Sequence, residues 1–224
     1  MKLKAEKVGR RYFRSGKDTN FFYAVQQLDF EPEEGSVTVI TGRSGSGKTT
    51  LINMLCGLLT PSDGSVFLDG RDIYELSDRE RSLLRNRSFG IIPQGQTGLQ
   101  CLTVAENVLL PVLMYGRTGE KEDKAKKLLE MLGIDDLRDV YSNELSGGEL
   151  RRMAVARALI NDPEIIIADE PTADLDADTT VLVMKLLKER AKGGASVVIV
   201  THDRDVIPYA DSVYTMDKGE LKKQ

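Results

Sequence analysis

The sequence predicts an α/β protein: a mainly parallel sheet with helices on both faces, a small antiparallel part, and a helical subdomain inserted into the core. Three observations point there. Apolar, β-branched runs at residues 165–168 and 196–201 each follow a helical segment, and a similar run fills residues 36–41. Runs without polar alternation suit strands buried on both faces, as in parallel sheets. The turn Asp69-Gly70 after residues 66–68 supplies a hairpin and so some antiparallel pairing. The stretch from about residue 97 to residue 150 carries helical signals and no convincing strand.

The elements follow in order. Residues 2–8 alternate weakly and read as a strand. Residues 14–20 are polar, rich in turn formers, and read as a loop. Residues 36–41, bounded by Gly35 and Gly42, read as a short buried strand. Leu51, Met54, Leu55 and Leu58 share one face, which predicts a helix over residues 48–58. Ala125, Leu128, Leu129 and Leu132 sit at i, i+3, i+4 and i+7, which predicts an amphipathic helix over 121–132, stopped by Gly133.

Composition excludes several classes of function. With 224 residues the chain is long enough to bury a sizeable core. A net charge of -4 and a pI near 5.3 argue against a nucleic-acid partner. No apolar run approaches the ~18 residues that span a bilayer. The charged start, Met1-Lys2-Leu3-Lys4, lacks the apolar stretch of a signal peptide. The expected location is therefore the cytoplasm, with any membrane contact made through a partner. Cys56 and Cys101 lack metal-binding spacing and read as small hydrophobes.

The sharpest chemical pattern is Gly42-Arg43-Ser44-Gly45-Ser46-Gly47-Lys48-Thr49, followed by Thr50. It fits the phosphate-binding P-loop between a strand and a helix. Its glycines let backbone N–H groups turn inward onto phosphate oxygens. Lys48 reaches the β- and γ-phosphates, and the Thr49 hydroxyl ligates Mg²⁺. A chance match in a chain of this length is on the order of one per cent, so a nucleoside triphosphate is the expected substrate. Such a site needs an acid at the end of a neighbouring strand. Asp169 closes the 165–168 run and is expected to hold the metal; Glu170 follows as candidate general base. His202, the single histidine, closes the second run, where ligands bind in open α/β sheets.

Leu145-Ser146-Gly147-Gly148-Glu149, ahead of a helix, repeats the same physics: a serine and two glycines at a helix N-terminus make a second anion site. This segment resembles the signature of the ABC ATPases, and the order of P-loop, signature and acidic pair along essentially the whole chain is similar to that family. The resemblance implies ATP and Mg²⁺ as ligands. It implies that Tyr12 stacks on adenine, with Phe13 or residues 21–23 as alternatives. It implies that Gln94 senses Mg²⁺ and water and that His202 contacts the γ-phosphate. Asp176, in Ala173-Asp174-Leu175-Asp176, becomes the acid of a loop crossing a dimer interface. Ser146, Gly147 and Gly148 bind the γ-phosphate held by a second copy of the chain or a similar ATPase subunit.

Residues 102–111 resemble the bacterial branch that includes lipoprotein-release and macrolide-export ATPases, which implies an integral membrane permease as partner and a peripheral place on the cytoplasmic face of the membrane. The permease's coupling helix is expected in a groove near Gln94 to Val108. A non-transport ABC ATPase, such as a cell-division type, is the alternative. Two departures stand out: Glu149 replaces the family's usual glutamine, and Pro93 precedes Gln94.

Overall fold

The computed structural model describes residues 1–13, 21–95, 98–115 and 121–224. The loop expected at 14–20 and the first residue of the inserted stretch, Thr97, lie outside them. The strands are β1 (Leu3–Phe13), β2 (Phe21–Phe30), β3 (Val37–Thr41), β4 (Asp63–Leu68), β5 (Arg71–Asp72), β6 (Phe89–Ile92), β7 (Ile165–Asp169), β8 (Ser196–Thr201), β9 (Ser212–Asp217) and β10 (Glu220–Lys223). The α-helices are α1 (Lys48–Leu55), α2 (Asp78–Ser88), α3 (Val104–Leu113), α4 (Lys121–Met131), α5 (Gly147–Leu159) and α6 (Ala177–Lys192).

The strands form two sheets. The larger has the order β10-β9-β3-β8-β7-β6; its strands from β9 to β6 run parallel, and β10 pairs antiparallel at the edge. The smaller, β2-β1-β4-β5, is antiparallel throughout.

The apolar runs explain the layering. Side chains alternate across a strand. Ile166, Ala168, Val197 and Ile199 join one core with apolar residues of α3, α4, α5 and α6. Ile165, Ile167, Val198 and Val200 join a second core with α1 and the antiparallel sheet. Both faces are thus covered, and full burial of each such side chain contributes roughly 1.5–3 kcal/mol.

Two predicted elements differ in extent. β1 pairs with β4 as far as Gly9 and runs on to Phe13 because β2 continues to pair with it, and register shifts along it blur the alternation that would reveal its length. α1 stops at Leu55, three residues early. Gly57 turns the chain left-handed at φ 68, Asn53 O accepts from the amides of Leu58 and Leu59, and Leu58 is left 55% exposed.

The described residues between β6 and β7 hold α3, α4 and α5 and no strand beyond one isolated bridge, Thr103 with Tyr141. Residue 150 falls inside α5, which runs unbroken to Leu159. Thr103 caps α3 in a box with Glu106. Asn107, fully buried, donates to the carbonyls of Leu99, Leu102 and Thr103 and accepts from Leu99 N, so it pins the loop before α3.

Candidate active site

β3 delivers the chain into the loop 42–47, and α1 begins at Lys48. The loop lies hard against neighbouring backbone. A Cβ on Gly47, where φ is 108, would stand 2.1 Å from Ala24 O; one on Gly42 would stand 2.3 Å from Met216 O. Only glycine fits either position, and the resulting turn presents the start of α1 to the cleft, where unpaired helix amides attract anions. The buried Ser46 hydroxyl has no hydrogen-bond partner.

Four adjacent strand ends surround that turn. The resulting cleft, of about 620 Å³, is lined by residues 43–50, Ala24, Gln94, Asp169, Glu170 and His202. Arg43, Ser44, Gly45, Ser46, Gly47, Lys48, Thr49 and Thr50 are therefore brought together with both acids, the glutamine and the histidine. Gly42 lies just behind, its carbonyl accepting from Lys48 Nζ at 2.7 Å, with Arg43 O at 3.0 Å. Burial lowers the Lys48 pKa, and the charges of Glu170 and Asp169 work against that shift.

The Thr49 hydroxyl donates to Asp169 Oδ2 at 2.7 Å. Burial raises the Asp169 carboxyl, the Thr49 hydrogen bond lowers it, and the Glu170 charge adds to the rise. Two hard oxygen donors thus stand together beside a phosphate-sized cradle. Mg²⁺ suits that arrangement, since it takes one or two carboxylates together with substrate phosphates. Among the described residues no group of three or more His, Cys, Asp or Glu could hold a metal by itself.

Glu170 sits at φ 51, a left-handed conformation that costs a glutamate free energy. Its carboxylate is held by the Thr201 hydroxyl at 2.7 Å, the His202 amide at 3.2 Å and His202 Nδ1 at 2.7 Å. The His202 side chain is 76% exposed. This contact leaves its Nε2 uncommitted to Glu170. Hydrogen bonds to a charged group contribute about 1.5–3 kcal/mol each, so β8 holds the acid's turn in place. The Thr201 contact was not foreseen: a threonine at a strand end carries no local mark of a partner 31 residues away.

Tyr12 does not line the cleft. On β1, opposite Phe22, its ring stacks on that residue at 5.9 Å between centroids, with the Arg10 guanidinium 5.0 Å from its own.

Ser146, Gly147 and Gly148 line a separate concavity of about 500 Å³ with Arg152, Asp174, Leu175, Asp176 and Thr179. Within one chain they are not brought to the Lys48 cleft. Ser146 caps α5: its hydroxyl and amide both donate to Glu149 Oε2 at 2.7 Å, and those bonds lower the Glu149 pKa. Asp176 also caps a helix, accepting from Thr179 N at 2.8 Å and from the Thr179 hydroxyl at 3.0 Å at the start of α6. Within one chain the duty seen for the expected loop acid is to cap α6.

A third depression is apolar. Leu58, Arg85, Phe89, Leu110, Pro111 and Met114 are among the residues lining this groove between the core and the helices. It lies beyond the 94–108 stretch where a partner's helix was expected, because it is the C-terminal half of α3 that faces α2 and β6.

Three comparisons bear on this geometry. The pattern described as "ABC transporter" matches residues 25–173. The lipoprotein-releasing system ATP-binding protein LolD of Xanthomonas campestris pv. campestris is 39% identical over 223 residues, covering 99% of this chain and 92% of that one. The macrolide export ATP-binding/permease protein MacB of Aggregatibacter actinomycetemcomitans is 39% identical over 212 residues, 94% of this chain but 33% of that longer protein. Among solved structures, the dimeric ABC transporter cassette MJ0796 superposes with a TM-score of 0.91 at 32% identity, covering 99% and 98% of the two chains. The same cassette in a post-hydrolysis dimer bound to ADP and Pi gives 0.91 at 33% identity.

Proposed function

Because the chain belongs to the ABC transporter family and is an ATP-binding, ATP-hydrolysing cassette, we propose that its two clefts are halves of two composite sites in a head-to-tail dimer. In each site one protomer contributes the Lys48 cleft and its partner contributes the helix start at Ser146. The observation that carries this reading is the separation within one chain of the cleft with Lys48, Asp169 and Glu170 from the concavity with Ser146, Gly147 and Gly148. An anion site with no base of its own is completed by a neighbour that has one.

In this reading the loop 42–47 and the N-terminus of α1 bind the α- and β-phosphates of ATP, and Lys48 swings from its carbonyl partners to the β,γ-phosphates. Thr49 and Asp169, with Gln94 alongside, hold Mg²⁺, which supplies neutralisation of phosphate charge. Glu170 accepts the proton of the attacking water. His202 orients against Glu170 through Nδ1 and offers Nε2 toward the γ-phosphate. Tyr12 serves adenine from β1, after turning from Phe22. Residues 1–224 act as one cassette, with residues from about 97 to 150 as its helical subdomain.

We further propose that the apolar groove at Leu58, Leu110 and Met114 receives an amphipathic helix of an integral membrane permease, which places the cassette on the cytoplasmic face of the membrane. Among the described residues no helix is long and apolar enough to cross a membrane. Similarity to lipoprotein-release and macrolide-export proteins supports that branch of the family. The test is affinity purification of tagged Glu170→Gln protein from its host in mild detergent with MgATP. A stoichiometric multi-span membrane protein supports the transporter reading; recovery of soluble partners alone, from extracts rich in membrane proteins, overturns it in favour of a non-transport ATPase.

A further inference from the structure

Arg151, in the second turn of α5, lines neither cleft. It is nevertheless 4% exposed, which is unusual for a guanidinium. Its Nη1 donates to Pro93 O at 2.9 Å, immediately before Gln94. The same helix begins at Ser146, and a Cβ on Gly148 would stand 3.2 Å from Asp174 O, so the first turn of α5 packs on the 174–176 loop. Burial lowers the Arg151 pKa; the carboxylates of Asp174, Asp169 and Glu170 are close enough to oppose the shift. A buried charge on one rigid helix thus touches the glutamine loop and senses both catalytic acids and the interface loop.

We propose that Arg151 is a positioning residue for hydrolysis, which ties the Gln94 loop to the signature helix so that movement of one sets the other. The alternative is plain packing: a long side chain filling space between α5 and β6. Both predict some loss of stability on truncation. They differ in what happens to Gln94. If Arg151 acts through the Gln94 loop, removing Gln94 first leaves Arg151 nothing to position. If it only fills space, the two losses multiply, as for independent sites.

The inference rests on Gln94 acting at the metal and water, and the experiment separates the two. MgATP hydrolysis by the purified full chain is measured for Arg151→Met, Arg151→Lys, Gln94→Ala and the Arg151→Met/Gln94→Ala double variant, with thermal melting as a check on folding. Arg151→Gln replaces the methionine variant if that one melts below the assay temperature. The expected result is a kcat between about 10- and 100-fold lower for Arg151→Met, as for other misplacements remote from the chemistry, with KM changed less than about threefold. Arg151→Lys recovers most of the loss, and the double variant is no slower than the slower single one. Multiplying losses, no rescue by lysine, or wild-type kcat in Arg151→Met each overturns the proposal. Wild-type kcat in Gln94→Ala overturns the Gln94 reading beneath it.

Discussion

The cleft at Lys48 is walled by the ends of β3, β8, β7 and β6, whereas the cleft at Ser146 is made by two helix starts, those of α5 and α6, and the loop before α6. In the first, Lys48, Asp169, Glu170 and Thr201 are all buried, and hydrogen bonds tie α1 to the end of β7 and the end of β8 to the residue that follows β7. In the second, Ser146 and Asp176 are occupied in capping their own helices. Preorganised charge accelerates a reaction, and the sheet ends supply buried charged groups at fixed positions. In the composite site proposed above, the helix start would supply an anion contact made only when a partner is present.

Removing the proposed base should have the largest effect. Glu170→Gln is expected to lower phosphate release by about 10²–10⁴-fold while MgATP binding and dimer formation persist, read by size exclusion with and without MgATP. Undiminished turnover would remove Glu170 as the base. Damage to the other cleft should look different. Gly148→Asp places a side chain against Asp174 O and a negative charge at the signature. ATP-driven dimerisation and turnover should fall by on the order of 10²-fold, while a fluorescent ATP analogue still binds the single chain. Equal loss of binding would mean that the two clefts are not separable.

Thr49→Val removes the hydroxyl bonded to Asp169. The Mg²⁺ concentration for half-maximal turnover should rise roughly 10- to 100-fold, measured by titration at saturating ATP; an unchanged midpoint would place the metal elsewhere. The smallest effect is expected from Glu149→Gln. It keeps the box with Ser146 and deletes one negative charge beside the signature cleft, so the ATP-driven dimer should tighten by about two- to fivefold. Acid should act oppositely on the fold. The Glu149 pKa is lowered, so its carboxylate stabilises the fold fully above the ordinary value of 4.5, and that stabilisation is lost as pH falls through the lowered value. Any melting-temperature advantage of wild type over Glu149→Gln should therefore shrink on acidification below that range.

Groups that lie close along the chain were legible in the amino-acid order. The loop 42–47 needs glycines and a following Lys-Thr, the apolar run at 165–168 ends at Asp169 and Glu170, and Ser146 with Gly147 and Gly148 opens a helix. Such features depend on backbone geometry and short spacing, so they are legible in the letters. The two-sided apolar strands likewise announced a parallel sheet. The remainder came from how the layers pack: that Thr201 steadies Glu170, that Arg151 reaches Pro93 from 58 residues away, that Tyr12 turns to Phe22, and that an apolar groove opens at Leu110. These depend on which surfaces meet when the layers pack, and no period or local propensity along the chain encodes which partner a buried threonine or arginine will find.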